Sequence, residues 1–186
     1  MKVRVVLFCF LFILAGCGAV NEVTNEDVKD YKVKQTFDET VEDTFVFQLV
    51  SAKEEYEAGE KIELYGEITY TGKGEIKITH ASSAILFEIK EQVRDYVVPF
   101  AVQEIGIETE LAGGEAYREK YLKQGVFSFE LEDEQHVEFI EDFKDRCDFP
   151  PGYYTVKATT SFHDSKILRE LETAVDFKVW AENEER

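Results

Sequence analysis

Histidine, cysteine and carboxylate are the side chains here whose chemistry would matter most, and their spacing decides which chemistry they could do. His80, His136 and His163 lie far apart, with no His-x₃-His or Cys-x₂-Cys spacing, so the sequence supports no zinc site. His163-Asp164-Ser165 places three triad residue types in a row. Immediate neighbours cannot meet side chain to side chain as a triad requires, and no Gly-x-Ser-x-Gly elbow accompanies them. With 39 acidic residues, carboxylate pairs arise everywhere and single out no glycosidase-like pair. The acidic runs "ELEDEQ" and "EDFKDRCD" offer the oxygen ligands calcium prefers, yet lack the Asp-x-Asp-x-Asp-Gly spacing of a calcium loop, and a solvated acidic face is the reading here. Gly72-Lys73-Gly74 reads as a hairpin turn and Gly113-Gly114 as a turn before a strand; neither forms a phosphate-binding loop. The expectation is therefore no catalytic residue, no metal ligand and no cofactor: a chain that is not an enzyme.

One cysteine has a more telling position. Met1-Lys2-Val3-Arg4 is a short basic segment, Val5 to Leu14 is an apolar run, and Ala15-Gly16 supplies small residues before Cys17. The apolar run is about ten residues long, against about 20 for a spanning helix. Leu14-Ala15-Gly16-Cys17, placed after such a segment, resembles the lipobox of bacterial lipoproteins. That resemblance implies cleavage between Gly16 and Cys17, a diacylglycerol (and further acyl chains such as palmitate) on Cys17, and export to the extracytoplasmic face of the plasma membrane. One acyl chain holds a protein to a bilayer marginally, and two or more hold it stably. Cys9 then leaves with the signal peptide, residues 1–16, and Cys147 has no intramolecular partner. It reads as a small residue partly buried beside a loop, with intermolecular pairing or a reactive thiol as the alternatives.

The formal net charge is −18, and about −20 once Lys2 and Arg4 are removed. Such a surface repels phosphate and excludes nucleic acid as a partner. Residues 17–42 are polar and acidic without a sustained apolar period, and read as the lipidated cysteine followed by a flexible tether. A flexible linker of that length spans on the order of 25–30 Å, which carries the domain beyond the ~8–10 Å screening distance of a charged surface.

The elements that position these residues begin at Asp43. Phe45, Phe47 and Leu49 share one face, and Ile62, Leu64, Gly66, Ile68 and Tyr70 alternate with charged residues as a half-buried strand does. Ile76 and Ile78, then Ile85, Phe87 and Ile89, continue the pattern. Val97 to Val102 reads as a strand that Pro99 confines to an edge or bulge, and residues 115–123 as a weaker one. "GYYTVKATTSF" and "AVDFKVW" complete about eight strands. Between them Val137, Ile140 and Phe143 fall three apart after a capping Asp133, which predicts an amphipathic helix near residues 134–145. The expected fold is all-β: an Ig-like antiparallel β-sandwich with one short inserted helix, in a single domain over residues 43–181 with a polar tail at 182–186.

The order of "EYEAGEKIELYGEITYTG", "IKITHASSAILFEIKE", "ELAGGEAYREKY" and "FPPGYYTVKATTSF" resembles the Ig-like intracellular proteinase inhibitor (BsuPI-like) domain, and lipoproteins of spore-forming Gram-positive bacteria that share it. Gly59-Glu60, Gly114-Glu115 and Pro151-Gly152-Tyr153 carry that likeness. It implies the sandwich, and no inhibitory residue is carried over to a position here. The functional expectation is a membrane-anchored, non-enzymatic protein-binding or scaffold module of the cell envelope. Its expected partners are the membrane, through the lipid on Cys17, and an envelope or secreted protein, basic by charge complementarity. A protease-inhibitor-like domain and a small-ligand or Ca²⁺-binding lipoprotein are the alternatives.

Overall fold

The computed structural model describes residues 22–165 and 167–182. The expected signal peptide, with Gly16 and Cys17, lies outside them. Strand accounts for 48% of the described residues and helix for 11%, so the class is all-β, with two sheets facing one another. No helix of the described residues is long and apolar enough to cross a membrane.

Alternation builds the first sheet. In β2 (Phe45–Ser51) every second residue is buried, so Phe45, Phe47 and Leu49 enter the core while Val46, Gln48 and Val50 face outward. β4 (Leu64–Tyr70) repeats this with Leu64 and Ile68. With β1 (Phe37–Glu42) and β8 (Ala116–Lys120) they form an antiparallel sheet in the order β1-β2-β4-β8. The opposing sheet is built on β5 (Glu75–Glu91) and β9 (Gly152–His163). Its order is β3-β11-β9-β5-β6, where β3 is Glu55–Tyr56, β6 is Tyr96–Val98 and β11 is Glu172–Val179. β7 (Ile107–Ala112) adds to the first half of β5, and β10 (Leu168–Arg169) to the end of β9. The register of β5 against β9 shifts between His80 and Ile85, which lets one long strand serve two neighbours along its length. β3 is the exception to antiparallel pairing, since it runs parallel to β11.

The turn at Gly72-Lys73-Gly74 differs from expectation. β4 and β5 do not pair; they belong to opposite sheets, so the turn is a crossover and not a hairpin. Gly113-Gly114 is a second crossover, from β7 to β8. The two are clipped together by Gly113 N–H to Gly74 O (2.7 Å) and Gly114 N–H to Tyr70 O (2.8 Å). A Cβ on Gly113 would lie 2.4 Å from the Gly72 carbonyl oxygen, so the close backbone approach requires glycine there.

The helix arrives where expected. α2 (Glu134–Asp145) is capped by Asp133, whose carboxylate accepts from the Gln135 N–H at 2.9 Å. It buries Phe139, Ile140 and Phe143 at the end of the sandwich. Phe143 meets Phe149 at 4.5 Å between centroids, and Phe149 meets Tyr154 and Phe177 at 5.1 and 5.7 Å. Each such ring contributes roughly 1.5–3 kcal/mol by leaving water. β6 is shorter than the expected strand at 97–102, ending at Val98 directly before Pro99.

The flexible tether is corrected over its described part. Residues 22–36 form a strap across the outer face of the second sheet, and residues 37–42 are β1. The strap carries a short helix, α1 (Asn25–Lys29), and buries Val23 and Val28. Tyr31 stacks on Tyr153 at 4.6 Å. Asp176 accepts from Lys34 N–H and Gln35 N–H, both at 2.9 Å, and from the Tyr153 hydroxyl. Asn25 and Ala181 exchange hydrogen bonds, the tighter being Ala181 N–H to Asn25 Oδ1 at 2.8 Å. The strap explains why β11 is buried on both faces from Val175 to Val179, including Asp176 and Lys178. The folded unit therefore extends from Glu22.

Candidate functional site: an acidic groove beside α2

The residues singled out for chemistry are not brought together. His80 lies within β5, not in a turn, and is buried, with its ring nitrogens 2.7 Å from Ala81 O and 2.8 Å from Thr109 Oγ1. His136 stacks on Tyr96 at 4.3 Å, and its Nε2 donates to Val97 O. His163 is exposed at the end of β9, while its neighbour Asp164 is buried in an ion pair with Arg169 (2.8 Å). Cys147 is exposed, contrary to the partly buried placement expected; it sits between Arg146 and Asp148, whose pairing leaves the intervening side chain in solvent. Among the described residues no group of three His, Cys, Asp or Glu could hold a metal ion.

A concavity lies where the start of the strap, the segment after β11 and α2 converge. It is an open groove of about 1070 Å³. Glu22 and Glu26 come from the strap, Glu138, Glu141 and Asp142 from α2, and Glu182 from the segment after β11. Its floor is apolar, with Tyr96, Phe139, Pro150 and Pro151. Several segments far apart in sequence build it, and only the acidity of α2 was visible beforehand.

Two arginines also reach the groove, and both are committed elsewhere. Glu91 is fully buried and accepts from the backbone N–H of Val93 (2.9 Å) and Arg94 (2.7 Å), which fixes the turn after β5. Arg94 folds back from that turn. Its guanidinium donates to Pro151 O at 3.0 Å, pairs with Glu91 at 3.4 Å and covers the Phe139 ring at 5.3 Å. Arg146, at the end of α2, forms a two-pronged pair with Asp148 at 2.8 and 2.7 Å. Burial opposes ionisation of Asp148, but the Arg146 fork and the Gly59 N–H (2.6 Å) outweigh it and hold the carboxyl below its ordinary range. Six carboxylates line the groove against two guanidiniums; Glu26 pairs with Lys29, Glu141 with Lys144 (3.2 Å) and Asp142 with Arg146 (3.9 Å), which leaves Glu22, Glu138 and Glu182 to make it negative.

The helix wall is fixed by a lysine. The Lys123 ammonium donates to the carbonyls of Phe143, Arg146 (3.0 Å) and Asp148, and lies 4.3 Å from the Phe143 ring centroid. It thus satisfies the carbonyl end of α2, where cations are favoured. Replacing Lys123 by methionine is expected to lower the unfolding free energy by about 2 kcal/mol, because the carbonyls lose their donor. Urea unfolding measures this directly. Burial pushes the Lys123 ammonium down to about 8. Between that value and its ordinary one the unfolded chain binds more protons, so the stability Lys123 confers rises with pH across this window and is smallest below it. The gap between wild type and Lys123→Met should widen from pH 7 to pH 10, and a gap that stays constant would contradict this.

Comparison with known proteins adds no relative: no protein-family model matches the chain, and no curated protein matches it.

Proposed function

We propose that this chain is a lipid-anchored, non-enzymatic module on the extracytoplasmic face of the bacterial plasma membrane, and that it binds a basic envelope or secreted protein. The observation that carries the reading is how near the described strap comes in sequence to the lipobox. Glu22 already lines the acidic groove, and it follows the lipobox cysteine Cys17 by five positions. Five residues reach at most about 18 Å, so a lipid on Cys17 would hold the groove close to the bilayer without a long spacer. The locked strap supports the same reading, because attachment there orients the domain instead of leaving it to tumble. The strongly negative surface selects a positive partner and speeds its encounter.

The Cys17→Ala chain, purified without its lipid and used as bait on envelope extracts, should retain the same basic protein at near-physiological salt in repeated captures. Failure to retain any specific protein across a range of salt concentrations would count against a binding role.

A further inference from the structure

We infer that the groove beside α2 takes an extended, lysine- and arginine-rich segment of the partner protein. This rests on the binding role proposed above and names the chemistry of its site. The groove is long enough in volume, at about 1070 Å³, for a peptide of several residues and too open to enclose a small molecule. Its carboxylates come from both walls: Glu22 and Glu26 on one side, Glu138 and Asp142 on the other, of which Glu26 pairs with Lys29 and Asp142 lies 3.9 Å from Arg146 at the exposed surface. An anionic ligand would find no available cation, since Arg94 is taken by Glu91, Pro151 O and the Phe139 ring, and Arg146 by Asp148. A cationic segment would find opposite charge on both sides and an apolar floor for the stems of its lysines and arginines. The segments adjoining the groove in sequence do not complement it. Residues 183–186, Asn-Glu-Glu-Arg, carry excess negative charge, and residues 18–21, Gly-Ala-Val-Asn, carry none.

The test uses the full-length Cys17→Ala protein and a fluorescein-labelled ten-residue peptide of alternating lysine and alanine, with a glutamate-alanine peptide as its counterpart. Anisotropy should show binding of the lysine peptide, weakening as salt rises, and none of the glutamate peptide. The pair Glu138→Lys/Asp142→Lys, on the exposed face of α2, should weaken binding at least tenfold. The pair Glu108→Lys/Glu110→Lys on exposed β7, which changes the net charge equally, should change it less than twofold. Equal weakening by both pairs would reduce the effect to net charge and overturn the inference, as would failure of the lysine peptide to bind. Should the α2 charge reversals unfold the protein, Glu138→Gln/Asp142→Asn carries the same comparison with a smaller loss. Capture of a partner by a protein whose groove ignores the lysine peptide would sink this inference and leave the binding role standing.

Discussion

Arg169→Met is expected to lower the unfolding free energy by about 3–4 kcal/mol, a large share of the roughly 5–15 kcal/mol that holds a domain of this kind together. Arg169 is 7% exposed, and one guanidinium ties three parts of the fold. It bonds Asp164 after β9 at 2.8 Å, and Glu42 and Asp43 in the β1–β2 turn at 2.8 and 2.7 Å. It also lies 5.5 Å from the Phe45 ring centroid. The hydrogen bonds to Asp43, Glu42 and Asp164 hold its pKa well above the ordinary arginine value. The two exposed carboxylates can return to water, so their loss costs little. Asp164 is 4% exposed and cannot, so methionine takes the guanidinium from a buried carboxylate that keeps its bond from the Ile167 N–H at 3.1 Å. Urea unfolding of Arg169→Met measures the loss, and Arg169→Met/Asp164→Asn should recover part of it. A loss below 1 kcal/mol would show that the buried pair contributes nothing beyond surface charge.

Asp176→Ala is expected to release the strap while the sandwich stays folded. Among the described residues the Asp176 carboxylate is the acceptor for the Lys34 and Gln35 amides, and it also takes the Tyr153 hydroxyl. Burial and the Asp176 carboxylate raise the Tyr153 pKa, so the phenol stays a donor at neutral pH. Hydrogen bonds to a charged acceptor contribute roughly 1.5–3 kcal/mol each. Losing this carboxylate should lower the free energy of strap opening by about 3 kcal/mol, or on the order of a hundredfold in its open population. Val23, Val28 and the Tyr31–Tyr153 stack remain, which keeps the effect local. Amide exchange at Lys34 and Gln35 should accelerate by that factor, and trypsin should cut after Lys29, Lys32 or Lys34 before it attacks the core. Exchange at the wild-type rate would mean that the strap is held by packing alone.

The strands that sequence revealed most clearly are those where one face meets the core and the other meets water. β2 and β4 show this alternation, and the capping Asp133 with Val137, Ile140 and Phe143 marked α2 as plainly, although Phe139 rather than Val137 completes the buried face. The strap was hidden because its bonds run from side chains of β11 and β9 to its own backbone. Nothing in "EVTNEDVKDYKVKQT" encodes them locally. Asp176 and Lys178 alternate with Val175, Phe177 and Val179, so they resembled a solvated face; both are buried because a distant segment covers them. The glycines of Gly72-Lys73-Gly74 marked a reversal correctly, but which sheet the next strand joins is a tertiary matter. The groove lies further still from local pattern. Its walls come from both ends of the folded unit and from α2, and only their shared negative charge was written in composition.

The proposed lipid at Cys17 is the feature from which the anchoring, the orientation and the site of action would all descend. Growth of a bacterial host with labelled palmitate, followed by separation of membranes from the soluble fraction, tests it directly. Wild-type protein should carry the label and sediment with membranes, and Cys17→Ala should be unlabelled. Unlabelled, soluble wild-type protein, or label persisting in Cys17→Ala, would contradict the account.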